Sequence, residues 1–200
     1  MKRFFALSMI ALLALALTSA AAADEISDQL EKGLQLYKQG QLSQAMGEIQ
    51  FALARIKQKK AEALGEIFPE PPSGWTGEKP QGASAGGGML GGGISASRQY
   101  RDKGRGRVMI KVVTDSPLIS SLAMILSNPM FLQGGKNGKL VRIQGHNAVL
   151  KDRGQRAELQ ALIDNKVLLR VSARRVDQAA EVVRRFADKV DLAKLKELTQ

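Results

Sequence analysis

His146 is the single histidine of the chain, and there is no cysteine. A metal centre built on nitrogen and sulfur needs several such ligands converging, and neither H-x-x-x-H nor H-E-x-x-H spacing occurs. As a general base, His146 would need a nucleophile and an orienting group nearby. Gly145-His146-Asn147 reads instead as a solvated turn. No G-x-S-x-G elbow is present. The acids lie mostly on helix faces beside lysines and arginines, which is the spacing of surface pairing. Residues Gly86–Gly91 satisfy G-x-G-x-x-G, but that pattern cradles a phosphate only between a strand and a helix. Here Gln81–Ala85 carries no strand signal and Ile94–Tyr100 alternates like a strand. A mobile loop or a glycine-rich strand entering the sheet is expected. The sequence thus predicts no catalytic residue, no metal site and no bound cofactor.

The cations are the more informative group. Arg98, Arg101, Lys103, Arg105 and Arg107 crowd one predicted hairpin, and Arg170, Arg174 and Arg175 form a second group. One reading is two separate solvated faces. The other is one cationic patch, brought to the same edge by sheet registration, that docks an anionic surface. The formal charge of +11 makes anionic partners the natural ones. Nucleic acid is not expected among them, because aromatics are only 4% of the chain and its address is outside the cytoplasm.

That address is read from the first residues. Lys2 and Arg3 form a positive start, Phe4–Leu17 an apolar run, and Ala21-Ala22-Ala23 a small-residue site before Asp24. This is the pattern of a secretory signal peptide cleaved after Ala23. The apolar run is short of the roughly 20 residues a spanning helix needs. A short positive start points to a bacterium, and export without an anchor to the periplasm. Losing Lys2 and Arg3, with no acid in the segment, lowers the formal charge from +11 by two. With no cysteine there is no disulfide framework, so an apolar core must hold the chain together.

After residues 1–23, the apolar spacing predicts a helical hairpin over 24–68. Ile26, Leu30, Gly33, Leu34 and Tyr37 recur at helical intervals, and Gly40 stops the first arm. Leu42, Ala45, Met46, Ile49, Ala52, Leu53, Ile56, Leu64 and Ile67 mark the second, ended by Pro69. Gly33, Tyr37-Lys38-Gln39-Gly40, Ala45 and Ala52-Leu53 resemble one tetratricopeptide repeat over about thirty residues. The resemblance implies close helix approach at Gly33, Ala45 and Ala52 and a turn at Gly40. Bulk at Gly40 or Ala45 is therefore expected to push the arms apart. The large residue usual near Gln29 and the closing proline are absent. A single repeat must pack on its own chain or on another subunit.

Residues 69–82 read as a Pro/Gly linker, with Trp75 expected to plug the edge of the domain that follows. Over 83–200 the pattern is α+β. Strands are expected at Ile94–Tyr100, Arg107–Thr114, Leu140–Ile143 and Ala148–Asp152. Ser116 and Pro117 open a predicted apolar helix over Leu118–Ser127. The centre is a hairpin in Glu158–Ala173 around Asp164-Asn165-Lys166. A three-residue loop places Leu159, Ala161 and Ile163 beside Val167, Leu169 and Val171, burying six apolar side chains together. Lys166 would then take the left-handed position, for which it is poorly suited. Val176, Ala179, Ala180, Val183, Phe186, Ala187 and Val190 form the apolar stripe of an amphipathic helix, and Asp191 caps a last short one. This order of elements resembles the PsbP/Mog1-type sandwich, an antiparallel sheet flanked by helices, whose members are mostly non-enzymatic binders.

The fold class predicted is thus α+β, an N-terminal helical hairpin plus a mostly antiparallel sheet packed with helices. The function predicted is a non-catalytic periplasmic interaction or accessory protein. Its partner is expected to be a protein or an anionic envelope component, with peripheral membrane contact and self-association compatible with the pattern. The alternative is a carrier of a small apolar ligand or lipid, with the Leu118–Leu126 helix and the glycine loop as a lid.

Overall fold

The alternation around Asp164 decides the centre of the molecule. Strands β7 (Arg156–Ile163) and β8 (Val167–Arg174) pair antiparallel with Leu159 opposite Val171, Ala161 opposite Leu169 and Ile163 opposite Val167. This is the register that joins the six apolar side chains, and all six are buried. The turn differs from expectation in one respect. The positive φ values fall on Asp164 (48°) and Asn165 (56°), and Lys166 only donates its N–H to Ile163 O at 3.0 Å. Asp and Asn tolerate that region because their side chains bond locally, so Lys166 is spared it.

The computed structural model describes residues 18–84, 93–117, 119 and 138–200. They form α1 (Thr18–Lys38), α2 (Leu42–Ala63), a 3-10 turn (Leu64–Ile67), β1 (Trp75–Gly77), β2 (Gln81–Ser84), β3 (Ile94–Asp102) and β4 (Arg107–Thr114). Then come β5 (Lys139–Ile143), β6 (His146–Asp152), β7, β8, α3 (Ala179–Ala187) and α4 (Leu192–Glu197). The chain is α+β, with two compact units, residues 1–57 and 58–200. The glycine-rich 86–91 motif, the Leu118–Ser127 helix apart from buried Ile119, and residues 1–17 of the expected signal lie outside the described residues. Among those described, no helix is long and apolar enough to cross a membrane.

In the first unit the two arms approach closely. A Cβ on Gly33 would lie 2.8 Å from Ile49 Cγ1, and Ala45 and Ala52 are buried. Lys32 and Glu48 pair across the arms at 2.5 Å. Gly40 turns the chain for a different reason from the one expected. A Cβ there would meet nothing within 4 Å, and its φ of +76° is what calls for glycine. On α2, Leu42, Met46, Ile49, Leu53 and Ile56 follow alternating steps of four and three and stay exposed, the spacing of a coiled-coil seam.

In the second unit all paired strands are antiparallel, in the order β1-β3-β4-β8-β7-β6-β5 with β2 also on β3. Two of them come from unexpected places. Trp75–Gly77, read from sequence as linker, and Gln81–Ser84, which straddles the expected linker end at 82 and has no strand signal of its own, pair with the two ends of β3. Short edge strands gain their ladder bonds from the neighbour, so weak propensity suffices. One sheet face takes Val108, Ile110 and Val112 of β4 with Val167, Leu169 and Val171 of β8, all buried. Helix α3 covers that face through Ala179, Val183, Phe186 and Ala187. Trp75 meets the Phe186 ring edge-on at 5.2 Å and Tyr100 lies at 4.8 Å from it, so the tryptophan plugs the core edge. Gln144, in the tight β5–β6 turn, donates to Ala187 O and Val190 O and satisfies the end of α3. Asp191 caps α4 by accepting from Lys194 N at 2.9 Å.

Candidate anion-binding site

Each strand that buries one face turns its alternate residues to the other. On β4 these are Arg107, Met109 and Lys111, on β8 Arg170, Ser172 and Arg174, and on β7 Arg156, Glu158 and Gln160. The registers make rungs of them. Arg107 is opposite Arg174, which is opposite Arg156; Met109, Ser172 and Glu158 form the next rung, and Lys111, Arg170 and Gln160 the third. Lys151 of β6 extends the middle rung opposite Glu158.

Turns at one end of the sheet wall this floor. Asp102 accepts from Gly104 N at 2.7 Å and Gly106 N at 2.9 Å, which orders the β3–β4 turn carrying Lys103 and Arg105. A Cβ on Gly106 would lie 2.1 Å from Asp102 Oδ2 and 3.0 Å from Val176 Cγ2, so this turn needs a glycine. In the β6–β7 turn, Asp152 accepts from Gly154 N at 3.0 Å and Arg153 N donates to Arg156 O. The result is a concavity of about 680 Å³. Nine cations line it: Arg105, Arg107, Lys111, Lys151, Arg153, Arg156, Arg170, Arg174 and Arg175. Among the described residues Glu158 is the sole carboxylate in the lining, and its Oε1 lies 3.3 Å from Arg170 Nε. Gln160 also donates to Glu158. Among the described residues no aromatic side chain belongs to the lining.

The structure splits the eight cations picked out from sequence. Arg105, Arg107, Arg170, Arg174 and Arg175 meet in the concavity. Arg98 does not, because it stands an odd number of residues from Arg107 across the register and shares the core-side face with Tyr100. Its guanidinium donates to Glu78 O and Pro69 O, pairs with Glu70 at 3.2 Å and lies 5.4 Å from the Tyr100 ring centre. With its side chain 11% exposed, it is a structural clamp. Arg101 continues the Arg107 rung but pairs with Glu78 at 2.6 Å, outside the lining. Lys103 sits in the turn beside it, also outside the lining. Lys111, Lys151, Arg153 and Arg156 were missed. For Lys111, Lys151 and Arg156 the signal was the polar half of each strand alternation, and for Arg153 the turn beside it; these became a site only when four strands were registered.

Other groups with chemical potential are held elsewhere. His146 is the first residue of β6 rather than a turn residue, with Nδ1 4.0 Å from Asp164 Oδ1. Lys196 pairs with Asp164 Oδ2 at 3.2 Å. Among the described residues no cluster of three or more His, Cys, Asp or Glu is placed to hold a metal ion. Lys60 pairs with Asp115 at 3.0 Å. Tyr100 has no exposed surface and donates to Pro69 O at 2.7 Å; burial pushes its phenol up to about 12. Compared with known families, curated proteins and solved structures, the chain gives no match.

Proposed function

We propose that this is a non-catalytic docking protein of the bacterial periplasm that holds an anionic envelope component against the outer face of its sheet. The observation that carries the reading is the concavity with nine lysines and arginines around one carboxylate. Charges gathered in a cleft add their fields and raise the local concentration of an oppositely charged partner. The exported address read from Lys2–Ala23 brings acidic phospholipids, lipopolysaccharide and wall carboxylates within reach. Two features support an interaction role for the helical unit: its likeness to one tetratricopeptide repeat and the exposed seam on α2.

The rim cations Arg105, Arg153 and Arg175 lie on turns or at a strand end and would meet a broad surface first. Each exposed cation near an anionic surface contributes on the order of 1 kcal/mol, fading beyond a Debye length of about 8 Å at physiological salt. R105Q/R153Q/R175Q should leave folding intact and weaken binding to anionic vesicles, lipopolysaccharide or purified wall. Added salt on the unmutated chain should reproduce the effect. The control is R184Q/R185Q on the exposed side of α3. Equal binding by the rim variant and the parent at low salt, measured by co-sedimentation, would remove the proposal.

A further inference from the structure

The floor of the concavity contains an arrangement that stability alone does not explain. The registers place Arg101, Arg107, Arg174 and Arg156 side by side on four consecutive strands. Neighbouring strands lie about 4.8 Å apart, and like charges directly opposite one another across strands are destabilising. The fold supplies an acid to Arg101 alone, through Glu78 at 2.6 Å. Among the described residues no ion pair reaches Arg107, Arg174 or Arg156. Glu158, on the adjacent rung, is turned to Arg170 and Gln160. Three adjacent, exposed guanidiniums are thus left with their forks uncommitted where the strand ends meet the concavity.

We infer that the Arg107–Arg174–Arg156 rung is a clamp for phosphomonoester groups borne on an anionic lipid head group, an inference that rests on the docking reading above. The chemistry selects the ligand. A carboxylate carries one charge on two oxygens, and one guanidinium fork neutralises it. A phosphomonoester carries between one and two charges at neutral pH and offers three acceptor oxygens. It can accept forks from two arginines about 5 Å apart at once, with Arg174 as the shared middle member. A volume of about 680 Å³ is of the size that takes a small ligand. Bases would need aromatic platforms, and among the described residues the lining has none.

The test uses the full chain with vesicles of phosphatidylcholine containing phosphatidate or a carboxylate lipid (oleate), matched for surface charge. The N-terminal apolar segment contributes alike to both, so the comparison is between compositions. Phosphatidate vesicles should bind about tenfold more tightly, as expected for one additional charge-assisted contact. R174Q should abolish that preference. Without any anion, R174Q should melt higher than the parent, by about 2 °C, because it removes the middle of three repelling charges. R107Q, at the end of the rung, should do the same more weakly and serves if R174Q is not obtained folded. Inorganic pyrophosphate should raise the melting temperature of the parent and not of R174Q. Equal affinity for phosphatidate and oleate vesicles, with no stabilisation by pyrophosphate, overturns the phosphate clamp and leaves the docking reading standing. No binding to either vesicle overturns the lipid clamp, and no binding to lipopolysaccharide or purified wall as well overturns the docking reading. Stabilisation by pyrophosphate without preference for phosphatidate overturns the lipid source. A melting temperature of R174Q at or below that of the parent overturns the uncommitted rung.

Discussion

Two buried groups show how single residues hold the architecture that presents the charges. Tyr100 fills the core beside Phe186, caps Pro69 O and lies under Arg98. Its phenol, held at about 12 chiefly by desolvation, ionises near 10 in the unfolded chain. The raised value stabilises the fold fully below pH 10, and that contribution is lost as pH rises from 10 to 12, because the unfolded chain ionises first. The expected loss is on the order of 2–3 kcal/mol. Y100F should lack this part of the alkaline decline; identical slopes for parent and variant in denaturant titrations between pH 10 and 12 would refute it. Gly106 is the second case. G106A must displace the Asp102 carboxylate from two backbone N–H groups and crowd Val176. We expect about 1–3 kcal/mol of destabilisation and faster amide exchange at Gly104, with no change if Asp102 is not the turn's anchor.

At the scale of elements, the turn of the central hairpin and the helical arms make separate tests. Asn165 sits at φ 56° while Lys166 does not have positive φ. N165G should therefore be neutral or stabilising by up to about 0.5 kcal/mol, and K166G should destabilise by a similar amount or more. The reverse order, read from thermal melts, would restore Lys166 to the left-handed position. For the first unit, the buried seam of Ala45 and Ala52 leaves no space between the arms. A45L should cost roughly 1–3 kcal/mol through overpacking, whereas Q44L on the exposed side should cost little. Similar melting curves for the two would mean that the arms do not meet at Ala45.

For the whole molecule, charge gives opposite signs to two salt effects. A formal charge of +11, with nine cations around one concavity, is self-repelling. Raising salt from about 0.01 to 0.15 M shortens the Debye length from about 30 to 8 Å, so the unliganded chain should gain stability. Binding to an anionic surface should weaken over the same interval. Stability that falls with salt would show that attractive ion pairs, rather than the uncommitted arginines, dominate the electrostatics.

Local patterning determined much of this on its own. The six-residue apolar match around Asp164 set the β7–β8 register, because a slip of one residue turns every side chain to the opposite face. The Val176–Val190 stripe and Asp191 defined the C-terminal helices, and the residue before Pro69, with ψ 133°, ended the helical run as proline requires. Because β3 runs on to Asp102, past the expected end at Tyr100, Arg98 and Arg101 stand three apart in one strand and face opposite ways. What only the tertiary structure decided is which polar residues meet. Lys151, Arg153 and Arg156 are remote in sequence from Arg105 and Arg107, and their meeting depends on β8 lying between β4 and β7. The same holds for neutralisation. Glu78, on the segment read as linker, reaches Arg101 only because β1 and β2 pair with β3. Strand order is set by long-range pairing energies that no local window contains, and it alone turned scattered cations into one site.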